Sequence, residues 1–128
     1  MKIALTHRGA LEALSVLAAR SDVGNFPRTS LPAGFVSNAG AAQIERLQRA
    51  YGLREPIQTL SCAAASRRGR GALERHRFNP VSMAQGFIEL EPAVFASSPE
   101  LCFIQLCNEL DIVDAIRLLG WMAGTYSL

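Results

Sequence analysis

Lysine is almost missing from this chain: Lys2 is the sole lysine among 13 basic residues, and the rest are arginine. Its scarcity excludes a nuclease of the PD-(D/E)xK kind. The acids of "IELEP" at 88–92 have no Lys two residues on to act beside a metal-bound water. It also excludes a P-loop, which needs Gly-Lys-Ser/Thr, and Gly69-Arg70-Gly71 lacks the third glycine of GxGxxG. Soft metal ligands are few. The histidines are His7 and His76, the cysteines are Cys62, Cys102 and Cys107, and neither HExxH nor CxxC occurs. Cys102 and Cys107 would sit about 140° apart around a helix and share no face. "GFVSNAG" at 34–40 misses the GxSxG spacing of a hydrolase nucleophile. The sequence thus assigns no catalytic residue, no metal and no cofactor. Long apolar runs are missing as well, so no span of a bilayer is expected. "MKIALTHRGALEAL" carries His, Arg and Glu too early for a secretory segment, which with unpaired thiols points to the cytoplasm.

What is present fits one domain over 1–128. The length supports a core without disulfides, and 49% hydrophobic residues argue against a disordered chain. The net charge of +2 is too small to imply a partner, but its distribution is uneven. From Arg54 to Arg77 six arginines face two glutamates, a net of +4; from Glu89 to Asp114 six acids meet no base, a net of −6. The two segments either face each other or present one charge to a partner. Arginine forks onto carboxylate and phosphate where lysine does not. A GC-rich genome would produce the same bias.

Periodicity supplies the elements. Lys2 to Thr6 reads as a short strand, and Thr6 caps a helix over 8–20 with Leu11, Leu14, Val16, Leu17 and Ala18 on one stripe. Residues 21–38 hold two prolines and two glycines and read as a long loop, anchored by Phe26 and Phe35 or available for binding. Asn38 caps a second helix that Gly52 closes, with Ile44, Leu47 and Tyr51 at helical spacing. "PIQTLSCAA", "ALERHRF", "FIEL" and "AVFA" alternate as strands, separated by intervals that suggest antiparallel pairing. In "ALERHRF", Arg75 and Arg77 share one face and His76 and Phe78 the other.

The C-terminal stretch "VFASSPELCFIQLCNELDIVDAIRLLGWMAGTYSL" gives a strand, a capped entry and two helices. Ser98 before Pro99 fits N-cap and first helical position, and Asp111 opens the second helix. Leu101, Cys102, Phe103, Ile104, Leu106, Cys107 and Leu110 are apolar nearly all round, as in a buried helix. Ile112, Val113, Ile116, Leu119 and Trp121 or Met122 are expected to pack inward, with Gly124 as the stop. The expected fold is α+β: a small, mainly antiparallel sheet at about 57–96, covered by three to four helices and ending in a helical pair.

This stretch resembles a family of actinobacterial proteins in which an apolar strand ends in "SPE" or a similar cap and the second helix ends in "GTY". They are similar to AbiEi-type antitoxins and to the accessory region before a very-short-patch-repair-like endonuclease domain. Arg67, Arg68, His76, Arg77 and Pro80 also fall on the family's Arg-rich turn and His-to-Pro pattern, while residues 1–56 match loosely. The resemblance implies an accessory region of toxin–antitoxin or phage-defence type. It also implies a chain shortened at Leu128, where a C-terminal domain would begin.

Two working surfaces follow. One is an Arg-rich hairpin, Arg67, Arg68, Arg70, Arg75 and Arg77, meeting the phosphates of nucleic acid. No aromatic is interleaved with it, so base stacking is not indicated. The other is an exposed apolar end, Trp121, Met122, Tyr126 and Leu128, docking a missing domain or a second copy. The sequence leaves partner and oligomeric state open.

Overall fold

The computed structural model describes residues 1–20, 26–61, 73–77 and 84–126, with side chains as far as Met122. In chain order the elements are β1 (Ile3–Leu5), α1 (His7–Arg20), β2 (Arg28–Thr29), α2 (Ala41–Tyr51), β3 (Ile57–Ser61), β4 (Leu73–Arg77), β5 (Phe87–Glu91), β6 (Val94–Ser97), α3 (Pro99–Cys107) and α4 (Ile112–Tyr126). The strands form one mixed sheet in the order β2-β5-β6-β1-β3-β4. The fold is α+β, as the alternation of strand and helix patterns implies.

The sheet is wider than residues 57–96. β1 lies in its middle, parallel to β6 and antiparallel to β3. It is buried on both faces: Ile3 and Leu5 enter one core cluster and Ala4 the other. Three pairings are antiparallel, but β3 and β4 run parallel, in register from Ile57↔Leu73 to Ser61↔Arg77. This corrects the expected antiparallel hairpin. The connection between them, 62–72, lies outside the described residues. Its length is close to the dozen or so residues a parallel return needs.

The main core packs Ala10, Ala13 and Leu14 of α1 and Ile44 and Leu47 of α2 with Ile3, Leu5, Ile57 and Val94 of the sheet. Burying a Leu or Ile of this kind contributes about 1.5–3 kcal/mol each. α1 comes unusually close to β3. A Cβ on Gly9 would stand 2.9 Å from the Gln58 carbonyl oxygen, so glycine is required by proximity rather than by flexibility. On the other sheet face Leu31 and Phe35 of the long loop cover Ala4, Leu60 and Phe87. Phe35 meets Phe95 edge-on at 6.0 Å, so it anchors the loop as expected.

The segment 36–38 enters the sheet itself. β1 and β3 pair directly only at Leu5↔Thr59, and beyond it Val36 bridges Ser61 while Asn38 bridges Lys2. Ser37 is fully buried there. Its hydroxyl accepts from the Ala4 N–H at 3.1 Å and donates to the Leu60 carbonyl at 2.5 Å. Asn38 is thus part of this wedge and not the cap of α2. Gly40 takes that position, its N–H donating to the Gln43 side chain at 2.9 Å.

Gly52 closes α2 at φ 64, and Ser98 caps α3 by accepting from the Leu101 N–H at 3.3 Å with Pro99 at the first turn. Asp111 caps α4 by accepting from the Asp114 N–H at 2.8 Å. α4 continues past Gly124 to Tyr126, so that glycine does not end it.

Candidate functional site

Parallel neighbours β1 and β6 both turn into helices at the same end of the sheet, β1 into α1 and β6 into α3. A crevice at the carboxyl ends of parallel strands is a recurrent place for ligands. Here it is polar and tightly wired. The His7 N–H donates to Gln105 Oε1 at 3.2 Å, and Ser97 Oγ donates to the same oxygen at 2.8 Å. The Cys102 thiol donates to the His7 carbonyl at 3.4 Å, and Thr6 Oγ1 lies 3.0 Å from His7 Nδ1. His7 itself sits at φ 49, a left-handed conformation that costs a non-glycine residue strain and is held by these bonds.

β4 forms the opposite wall. Strand alternation sends Glu74 and His76 to one face and Leu73, Arg75 and Arg77 to the other. The His76 ring stacks on His7 with centroids 3.9 Å apart and planes inclined by 23°. Burial, aided by the neighbouring His76 and opposed by Glu74, lowers the His7 pKa to about 4, so His7 is neutral at pH 7. His76 Nε2 is enclosed and has no hydrogen-bond partner. Glu74 Oε1 lies 3.5 Å from it, within ion-pair reach but outside hydrogen-bond geometry. Between these walls is a cleft of about 600 Å³, with Leu60, Leu101 and Ile104 as its apolar lining and Gln105, Asn108, Arg75 and Arg77 around it. The imidazoles can donate or accept hydrogen bonds there. No group of three or more His, Cys, Asp or Glu side chains suited to a metal ion occurs among the described residues.

The arginine surface divides. Arg75 donates from Nε (3.2 Å) and Nη2 (3.0 Å) to the Ser37 carbonyl, bracing the edge strand. Arg77 is exposed at the end of β4 and borders the cleft. Arg67, Arg68 and Arg70 lie outside the described residues. The acidic segment is answered from elsewhere. Glu91 pairs with Arg46 at 3.0 Å and accepts from the Tyr51 hydroxyl, Glu100 pairs with Arg28 at 2.6 Å, and Asp114 pairs with Arg117 at 3.7 Å. Burial and the Glu91 contact push Tyr51 up to about 12.

The C-terminal surface needs a larger correction. Met122 is 6% exposed and belongs to the main core, because it falls on the side of α4 that meets the body, and so it lines no exposed face. Trp121 is exposed, and the side chains of Tyr126 and Leu128 lie outside the described residues. Of the residues expected to pack inward, Met122 does so and the others do the opposite. Ile112 is 76% exposed, Ile116 63%, Val113 52% and Leu119 51%. On α3, Leu101, Cys102 and Leu106 are buried, while Ile104 is open and Cys107 is exposed. An all-round apolar helix normally has cover on every side; α4 has it on one.

Sequence reasoning noted His7 and His76 but did not bring them together, since no local spacing relates residues so far apart. No described helix is long and apolar enough to cross a membrane. Compared with protein-family models, curated proteins and solved structures, the chain matches none.

Proposed function

We propose that the chain is a non-catalytic protein-interaction module that pairs with a second copy of itself through α4. The observation carrying this reading is the open apolar face formed by Ile112, Val113, Ile116 and Leu119. Such a contiguous face marks an interaction site in a protein of this size. The toxin–antitoxin or phage-defence setting implied by the resemblance is compatible with an accessory module of this kind.

Self-pairing is favoured over another occupant because the face is apolar and complementary to itself. α4 carries Asp114 and Arg117 as its charged residues. A two-fold antiparallel contact centred on Ile116 sets Ile116 against its own copy and Val113 against Leu119. Arg117 and Asp114, already paired with each other at 3.7 Å, lie beside and behind this face and leave the contact itself uncharged. Gly120, whose Cβ position is open, lets the helices approach closely.

Sedimentation velocity across a concentration series tests this. A dimer is expected, with Ile116→Asp monomeric yet unchanged in circular dichroism. A strict monomer at high concentration, or a dimer indifferent to Ile116→Asp, refutes the reading.

A further inference from the structure

The cleft between α1, α3 and β4 shares no residue with the α4 face. We infer that it binds an ammonium compound with an amide carbonyl beside the charged nitrogen and an aliphatic body, taken either as a free amino-acid amide or as the first residue of a peptide.

The charge that this cleft offers a ligand is negative. Arg75 is turned to the Ser37 carbonyl on the other strand face, and Arg77, on the same side of β4 as Arg75, has an interaction of its own. Glu74 points the other way, with His76, and its side chain is 45% exposed. His76 Nε2 stands 3.5 Å from Glu74 Oε1, outside hydrogen-bond geometry, and the carboxylate accepts no hydrogen bond among the described residues. His7 is neutral at pH 7 and so does not repel a cation brought to Glu74. The volume of about 600 Å³ falls within the range of small-molecule sites, which calls for an organic cation rather than a bare ion.

Gln105 supplies the second anchor. Its Oε1 accepts from both the His7 N–H and the Ser97 hydroxyl, which fixes the orientation of the amide. The NH2 group is thereby left at the cleft as a donor with no partner among the described residues, and a carbonyl oxygen satisfies it. The third element is apolar. Leu60 stands beside His76 in the β3–β4 register, on the same face as Glu74, and Leu101 and the open side chain of Ile104 continue this surface. An aliphatic group laid on it removes apolar area from water. A carboxylate, an amide donor and an apolar floor thus match the ammonium, carbonyl and side chain of an α-amino amide, a variant of the N-terminal amine capture seen in peptide recognition. A free amino acid fits less well, because its own carboxylate meets Glu74 and finds no arginine turned towards it.

The test is an NMR titration of the full chain, read at the His7 ring and the Gln105 side-chain amide. The probes are leucinamide, the tripeptide amide leucyl-glycyl-glycinamide, N-acetylleucinamide and isopentylamine. Saturable shifts are expected with leucinamide or the tripeptide amide, the tighter of the two identifying the source. N-acetylleucinamide, which lacks the charge, and isopentylamine, which lacks the carbonyl, should each bind about tenfold or more weaker. Glu74→Gln should lower leucinamide affinity about tenfold with an unchanged thermal transition. The acetylated probe needs no variant, so it decides the matter even if Glu74→Gln shifts that transition. Signals unmoved by leucinamide and the tripeptide amide, either control binding as tightly as leucinamide, or affinity indifferent to Glu74→Gln would overturn the inference.

Discussion

The imidazoles of His7 and His76 lie face to face, 3.9 Å between centroids, and join the first turn of α1 to the edge strand β4. The contact depends on His7 staying neutral, because two charged rings at this distance would repel.

Acid should therefore loosen the fold in a defined interval. Folded His7 takes its proton at about 4, against an ordinary value of 6.5. Between these values the unfolded chain binds more protons, so stability falls as pH drops from 6.5 towards 4. Glu100 acts lower down. Hydrogen bonds from Arg28 hold its pKa at about 2 against 4.5, and that contribution is lost as pH falls through this lower range. In urea titrations across pH, His7→Asn should flatten the upper interval and Glu100→Gln the lower one. Asparagine is the suitable replacement because it tolerates the left-handed backbone.

Gly9→Ala should be destabilising despite the better helix propensity of alanine. The added carbon meets backbone, the Gln58 carbonyl oxygen at 2.9 Å, which cannot swing aside. A loss of about 1–3 kcal/mol is expected from the forced separation of α1 and β3, read from the shift of the urea midpoint. An unchanged or raised midpoint would contradict the close approach.

The two sides of α3 should answer differently to truncation. Leu106→Ala removes a buried side chain and should cost about 2–5 kcal/mol, whereas Ile104→Ala alters an open one and should stay within about 0.5 kcal/mol. Leu106→Asp should prevent soluble expression. Equal losses at both positions would mean that Ile104 is covered in solution.

Thiol chemistry should follow exposure. Burial pushes the Cys102 thiol up to about 12, and it donates to the His7 carbonyl, while Cys107 is exposed. Brief treatment with iodoacetamide, mapped by peptide mass spectrometry, should label Cys107 and leave Cys102 unmodified until the protein is unfolded. Early labelling of Cys102 would show that the His7 turn opens readily.

Much of this architecture was legible locally. The Ser98-Pro99 entry, the Gly52 stop and the helical stripe of 8–20 follow from short-range rules that the fold obeys. Pairing across distance was not legible. Short intervals suggested antiparallel strands, yet Ile57↔Leu73 is parallel. The apolar pattern of α4 was legible as well, but hydrophobicity does not say whether the covering surface belongs to the same chain. Ile112 and Ile116 are as apolar as Leu14 and Leu47, and only their position after α3 leaves them open. Arg75 shows the same limit from the polar side. Its place on a strand face implied a phosphate ligand, and the carbonyl of Ser37 supplied a partner within the chain.

Ser37 serves as a common vertex. Its hydroxyl ties β1 to β3, its carbonyl receives Arg75 of β4, and its N–H lies 3.3 Å from the Leu60 carbonyl and from Ser61 Oγ. A single small residue thus triangulates three strands, two of which, β1 and β4, do not adjoin in the sheet. The loop that contributes it comes from a different part of the sequence than either wall of the cleft. That loop nevertheless sets how far β4, and with it His76, stands from the start of α1. The spacing of the two histidines is fixed by a three-stranded truss, and its central joint is a serine outside the cleft.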